Sequence, residues 1–406
     1  MTTKKYDIIL WGGTVVDPDT HINGKNDVGI YKGKIAAIQK VIPKEEAQII
    51  KDARGKIITP GLIDMHAHAY DLSTLWGIPS DYFERSGVTT VVDAGSSGCE
   101  NYPGLRQHAI KSSNITIYAL LNAVSGGLTG GWNMGEAIDA RAIDEQGCID
   151  TIVHNGDHIV GVKIRSGAHQ VGQLGLEPLR RAVRIGEETG RPVMVHIGEG
   201  VPSKEVVQEL RAGDIVTHCY FGYPDNIFDL GTKAGEKLPD GAQIVDAVLR
   251  ARERGVIYDV GHGLGSHSWA VAEAAYELGF HPDTISTDLH RANIDGPVFD
   301  LPTTLSKYLH MGYPLETVIR MATLTPATIL GKQEELGSLR VGTQADIAVL
   351  ELEQGSFPLH DYANVERMAT QKLVAKMTIK AGRILGKDAY RYWPQSSGVV
   401  EQADEA

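Results

Sequence analysis

The chain has 406 residues, 42% of them apolar and 22% charged, which is the make-up of a soluble globular protein with room for one large domain and a smaller one. A formal net charge of −12 and the absence of any basic run argue against a nucleic-acid partner, whose phosphates attract clustered Lys and Arg. The short apolar run ahead of Gly12 and Gly13 cannot serve as a signal peptide or membrane span, so a cytoplasmic protein with no membrane partner is expected. Cys99, Cys148 and Cys219 contain no CxxC pair, so neither a disulfide framework nor a cysteine zinc site is indicated.

In chain order, residues 1–60 read as short β-rich runs broken by turn residues ("DIILWGGTVVDP", "DVGIYKGKIAAIQ", "KIITP"). The same texture returns at 338–386 ("GSLRVGTQADIAVLEL", "KMTIKAGRIL"), so the two ends are expected to form one discontinuous β domain. Between them, at 61–337, eight apolar β-branched runs fall at 62–66, 88–95, 115–124, 159–165, 192–198, 215–219, 256–263 and 284–288. Most are separated by helical patterns such as "LEPLRRAVRIGEETG" and "SWAVAEAAYELGF". Continuous apolar strands alternating with helices predict a parallel sheet, and eight such units predict a closed (β/α)8 barrel of the α/β class. Residues 387–406 are polar, acidic and aperiodic, and are expected to be a loosely ordered tail.

In such a barrel the polar residues at the C-terminal ends of strands face a common mouth. His66 and His68 end the first run, Lys163 lies in the fourth, His196 and His218 end the fifth and sixth, and Asp288 ends the eighth. Strand geometry turns i and i+2 to one face, so His66 and His68 are expected to hold one ion together. Singly, each histidine reads rather as a hydrogen-bonded rim or core residue; as a set the residues offer the N and O donors of a zinc, manganese or iron site. An ammonium cannot ligate a metal, but burial of Lys163 lowers its pKa, and a neutral amine adds carbon dioxide to become a carbamate able to bridge two cations.

Taken together these residues resemble the amidohydrolase superfamily over nearly the whole chain. "PGLIDMHAH" is similar to that family's entry into its first barrel strand, and "GTQADIAVL" to the return into its flanking β-sandwich. The resemblance implies that His66, His68 and Asp288 bind the more buried metal, that His196 and His218 bind the second, and that carboxylated Lys163 bridges them. Within the superfamily the chain resembles the dihydroorotase-like group of deacetylases. The implied reaction is hydrolysis of the amide or ester of a small N-acyl or O-acyl acid by a metal-bridging hydroxide, with Asp288 as general base and then acid. The family often forms dimers or larger assemblies, so a homo-oligomer is also expected.

Around this set, Arg165 is expected to share a face with Lys163 and grip a substrate carboxylate. Tyr220 is a candidate donor to the scissile carbonyl, and His262, His290 and Arg291 are candidates for the rim. Each has a structural alternative, such as packing at the rim or holding the Asp288 loop. The glycine-rich "SGGLTGGWNMG" at 125–135 has the composition of a lid. Three other functions compete: cyclic amide opening, deamination with Glu199 as the proton shuttle in "HIGE", and a scaffold without catalysis.

Overall fold

The structure is a computed structural model that describes residues 4–73, 76–130, 136–231 and 236–385. The expected tail and residues 131–135 of the expected lid lie outside the described residues.

Seven parallel strands form one sheet in chain order: Leu62–Ala67, Val88–Ala94, Thr116–Asn122, Ile159–Arg165, Val193–His196, Ile215–Thr217 and Ile257–Tyr258. The eighth expected strand closes the ring without becoming a regular strand. Residues 284–289 hold the first and last strands through two isolated parallel bridges, Asp259 to Thr284 and Ala67 to Leu289. The reason lies in local chemistry. The Asp64 carboxylate, and not a neighbouring carbonyl, accepts the Thr287 N–H at 3.0 Å, and Asp288 turns to a positive φ of 49°, which no extended strand permits.

Apolar side chains on the barrel strands divide between two clusters. Leu62, Val91, Ile117, Ile164, Val195 and Val216 pack with Leu179, Val183, Val248 and Val271 of the surrounding helices. Ile63, Val92, Tyr118, Leu120, Met194 and Ile215 pack with Ala327 of helix Leu324–Ile329 and fill the inside of the ring. Helices Glu177–Thr189 and Trp269–Glu277 form where 3.6-residue periodicity predicts them, and the first stops at Gly190, whose φ of 63° suits a residue without Cβ. The "SKEVVQELRAG" segment is helical only over Ser203–Val206.

Strands from both chain ends share a second sheet of eight strands. The ends meet where Ile57–Pro60 pairs antiparallel with Ile347–His360, in the register Ile57 to Leu350 and Pro60 to Ile347. Alternation buries both faces: Ile8 and Leu10 enter one cluster with Ile347 and Ile379, while Ile9 enters another with Ile42 and Ala47. The last two long strands, Ile347–His360 and Glu366–Lys380, form a hairpin whose polar middle the sequence does not mark as strand. Among the described residues no helix is long and apolar enough to cross a membrane.

Asp346 ties this sheet to the barrel. Its backbone oxygen accepts from Gly61 N at 2.8 Å, at the entrance to the first barrel strand, and its buried carboxylate takes Lys380 Nζ at 2.7 Å and Ala381 N at 2.9 Å. Asp346→Asn leaves the Lys380 charge buried and unpaired, and is expected to cost about 3 kcal/mol of unfolding free energy. Denaturant titration reads the loss directly, and a change below about 1 kcal/mol would show that the pair is solvated.

Candidate metal centre

His66, His68, Lys163, Arg165, His196, Glu199, Asp288 and His290 line one cavity of about 210 Å³ at the C-terminal mouth of the barrel. The Nε2 atoms of His66 and His68 lie 3.3 and 3.0 Å from Asp288 Oδ1, and among the described residues these three side chains offer ligand atoms all within 4.8 Å of one another. The His218 ring centroid lies 5.0 Å from that of His66 and 4.1 Å from that of His196. Lys163 Nζ lies 3.1 Å from His66 Nε2. The six residues singled out in the sequence are thus gathered around one space.

Which nitrogen each imidazole presents follows from its neighbours. Ser96 Oγ donates its proton to Asp93 Oδ2 at 2.8 Å, so toward His68 Nδ1, 2.9 Å away, it acts as acceptor. Thr217 Oγ1 likewise donates to Asp259 Oδ2 at 2.8 Å and accepts from His66 Nδ1 at 2.8 Å. Gly261 O accepts from His218 Nδ1 at 2.5 Å. In all three rings the proton sits on Nδ1 and the lone pair on Nε2. His218 Nε2 is then a buried acceptor with no hydrogen-bond partner, an expense that a cation removes. The donor set therefore fits divalent metal: neutral imidazole nitrogens and a carboxylate oxygen converging in a closed mouth.

Electrostatics agree. Burial pulls His218 down to about 3, keeping it neutral. Asp288 Oδ1 faces the Nε2 lone pairs of His66 and His68 at 3.3 and 3.0 Å, an arrangement of acceptors that a cation between them would relieve. Lys163 is pulled down to about 7 by burial, with Met194 Sδ 3.7 Å below its Nζ and Asp288 acting in the opposite sense.

The backbone is bent to make this arrangement. His218 and Asp288 adopt positive φ values of 64° and 49°, a region rarely occupied outside glycine. Gly261 approaches so closely that a Cβ there would lie 3.0 Å from both His66 Nδ1 and His218 Nδ1.

Several expected contacts are corrected. Tyr220 is fully buried and its hydroxyl donates to Phe280 O at 3.0 Å, so it does not face the cavity. His262 is also buried, with Nδ1 against Gly263 O at 2.9 Å and Nε2 facing Lys307 Nζ at 2.5 Å, which makes it part of the wall. Arg291 is exposed and does not line the cavity, whereas His290 does, 5.1 Å from the Trp76 ring. Arg165 reaches the cavity as expected, but its guanidinium is held by Glu136 at 2.5 Å and lies 5.3 Å over Trp76. Glu199 sits at the exposed rim.

Sequence reasoning missed Asp64, Asp93, Ser96, Thr217, Asp259, Trp76 and Glu136. Asp64 carried a signal, since it stands two residues before His66 in the same alternation as His68. Burial pushes its carboxyl up to about 7 while bonds from Thr287 work the other way. Glu136 carried none.

Ser96→Ala removes the acceptor that fixes His68, and is expected to weaken metal binding by about 10–100-fold. Competition with a chelator measures this; unaltered affinity would mean that Ser96 only packs.

Comparison with known proteins extends this picture. The family model "Amidohydrolase family" matches residues 57–385. The chain is 37% identical over 324 residues to deacetylase Atu3266 of Agrobacterium fabrum, covering 79% of this chain and 76% of that protein. Among solved structures it resembles an adenine deaminase (TM-score 0.83, 29% identity, 94% of this chain and 100% of the other). It resembles a dihydroorotase equally well (TM-score 0.83, 31% identity, 93% and 98%). With the match spanning the barrel and the strands on either side of it, the chain belongs to the amidohydrolase family.

Proposed function

We propose that the protein is a metal-dependent deacylase, cleaving the acetyl or related acyl group from a small N-acyl or O-acyl acid. The observation that carries the reading is the convergence of imidazole Nε2 atoms and Asp288 Oδ1 beside a buried lysine held near neutrality. The similarity to a deacetylase at 37% identity supports the choice of reaction. His66, His68 and Asp288 would hold one divalent ion, His196 and His218 a second. Zinc suits the donors best, with manganese or iron as alternatives. When bound, the metal supplies an acidified water and polarises a carbonyl.

The chain's own groups do the rest. The Lys163 amine, neutral in an appreciable fraction of molecules near pH 7, attacks carbon dioxide and loses one proton to give a carbamate, which adds two oxygens and one negative charge to the single carboxylate of Asp288. Asp288 uses Oδ1 toward the imidazoles, leaving Oδ2, which faces the bare side of Gly263, to take the proton of the attacking water and return it to the leaving nitrogen or oxygen. Arg165, which lines the cavity, would receive a substrate carboxylate in competition with Glu136 for the guanidinium.

A second reading draws on the similarity to a dihydroorotase and an adenine deaminase and on Glu199 at the rim: ring opening of a cyclic amide, or deamination.

Purified protein is expected to carry about two divalent ions per chain. Lys163→Ala should lose one of them and at least ~100-fold in kcat/KM, with partial recovery on adding short carboxylic acids. Full metal content and unchanged turnover would return Lys163 to a salt-bridge role. Assay of N-acetyl and O-acetyl acids beside dihydroorotate and adenine should release acetate; ammonia, or ring opening alone, would overturn the deacylase assignment. Arg165→Met should raise KM for acidic substrates at least about tenfold with a smaller effect on kcat, and an equal loss in both would place Arg165 in the chemical step.

A further inference from the structure

On the flank of the barrel, away from the metal ligands, Cys99 and Cys148 stand side by side. Cys99 follows the strand Val88–Ala94, and Cys148 lies in the first turn of helix Glu145–His154. Contact between the segments is close: a Cβ on Gly147 would lie 3.3 Å from Cys99 Sγ. Cys148 is fully buried, its sulfur 3.6 Å from Ala123 O and 3.8 Å from Asn122 O, whereas Cys99 is half-buried. Cys99 lines a cavity of about 530 Å³ whose wall includes Arg106, Lys111 and His154, with Asp150 the one acidic side chain among its lining residues. The reaction proposed for the metal centre uses none of these groups.

The pair is asymmetric. The neighbouring Cys148 thiol favours the Cys99 thiolate and brings Cys99 down to about 7, against burial and the nearby Asp144 and Glu100. Cys99 beside it, together with burial, pushes Cys148 up. One thiol is thus accessible and nucleophilic, and the other is sequestered beside it.

We propose that Cys99 and Cys148 form a reversible dithiol switch that exchanges with small anionic disulfides entering the adjacent cavity. The Cys99 thiolate attacks one sulfur of the small disulfide, breaking its S–S bond, forming a mixed disulfide and expelling one thiolate. The Cys148 sulfur then attacks the Cys99 sulfur, closing the internal disulfide, and its proton leaves on the second sulfur expelled, as a thiol. The protein loses two electrons and the small disulfide gains them. The product ties the segment carrying Ser96, which holds His68, to helix Glu145–His154.

The test treats the metal-loaded protein with oxidised glutathione, traps remaining thiols with an alkylating agent and maps the peptides by mass spectrometry. The expected result is a Cys99–Cys148 crosslink, reversed by dithiothreitol, with the fully buried Cys219 unmodified. Cys148→Ser and Cys148→Ala should both stop at glutathione on Cys99, and Cys99→Ser should slow thiol loss at least about tenfold. Free Cys99 in the wild type, or a mixed disulfide that never closes, would overturn the proposal without reference to any variant.

Discussion

An imidazole has two nitrogens and one lone pair to offer, so a site built from histidines depends on where the other nitrogen's proton goes. Here the answer is given by groups that are not ligands. Two carboxylates, Asp93 and Asp259, each claim the proton of a hydroxyl, and each hydroxyl then has only acceptor capacity left for a histidine. Burial opposes the charge on Asp259, but bonds from His66, Thr284 and Ser286 outweigh it and keep the carboxyl below its ordinary range. The direction of every hydrogen bond in these chains runs away from the cavity, and the lone pairs are left facing into it.

This polarity accounts for the strained and irregular pieces of the barrel. The eighth segment gives up ladder bonding so that Asp64 can hold Thr287 and Asp288 can turn inward. His218 takes a left-handed conformation one residue past its strand, which lets Nδ1 reach Gly261 O. Each departure costs of order 1–3 kcal/mol and persists because the surrounding core overdetermines it. The apolar packing inside the ring supplies that rigidity and also lies directly beneath Lys163, so one cluster serves both stability and the chemistry of the amine.

Much of this was legible in the sequence because ligands at strand ends obey simple periodicity. Eight apolar runs located the mouth; His66, His68, Lys163, His196 and Asp288 line it, and His218 packs directly behind against the rings of His66 and His196. The failures share a cause. Tyr220 and His262 sit beside strand ends in sequence, yet a left-handed turn at His218 and a glycine on each side of His262 rotate the chain, so adjacency does not carry over into direction. Glu136 was invisible for another reason: it reaches Arg165 from a loop, and loops have no period. The supporting Ser96 and Thr217 are small residues whose role is apparent only once their partners are placed.

The pairing of Ile57–Pro60 with Ile347–His360 has a consequence for the order in which the molecule is made. During synthesis His66 and His68 leave the ribosome with most of the barrel still to come, and the strand that precedes them has its partner in Tyr6–Asp17 but lacks the one on its other edge until residue 350 has followed. Contacts so distant in sequence are closed late, because loop entropy must be met before they form. The nascent chain therefore carries His66 and His68 ahead of Asp288 and the closing strands that bring the three together. In the growing chain, assembly of the six-residue set and completion of the fold become a single late event.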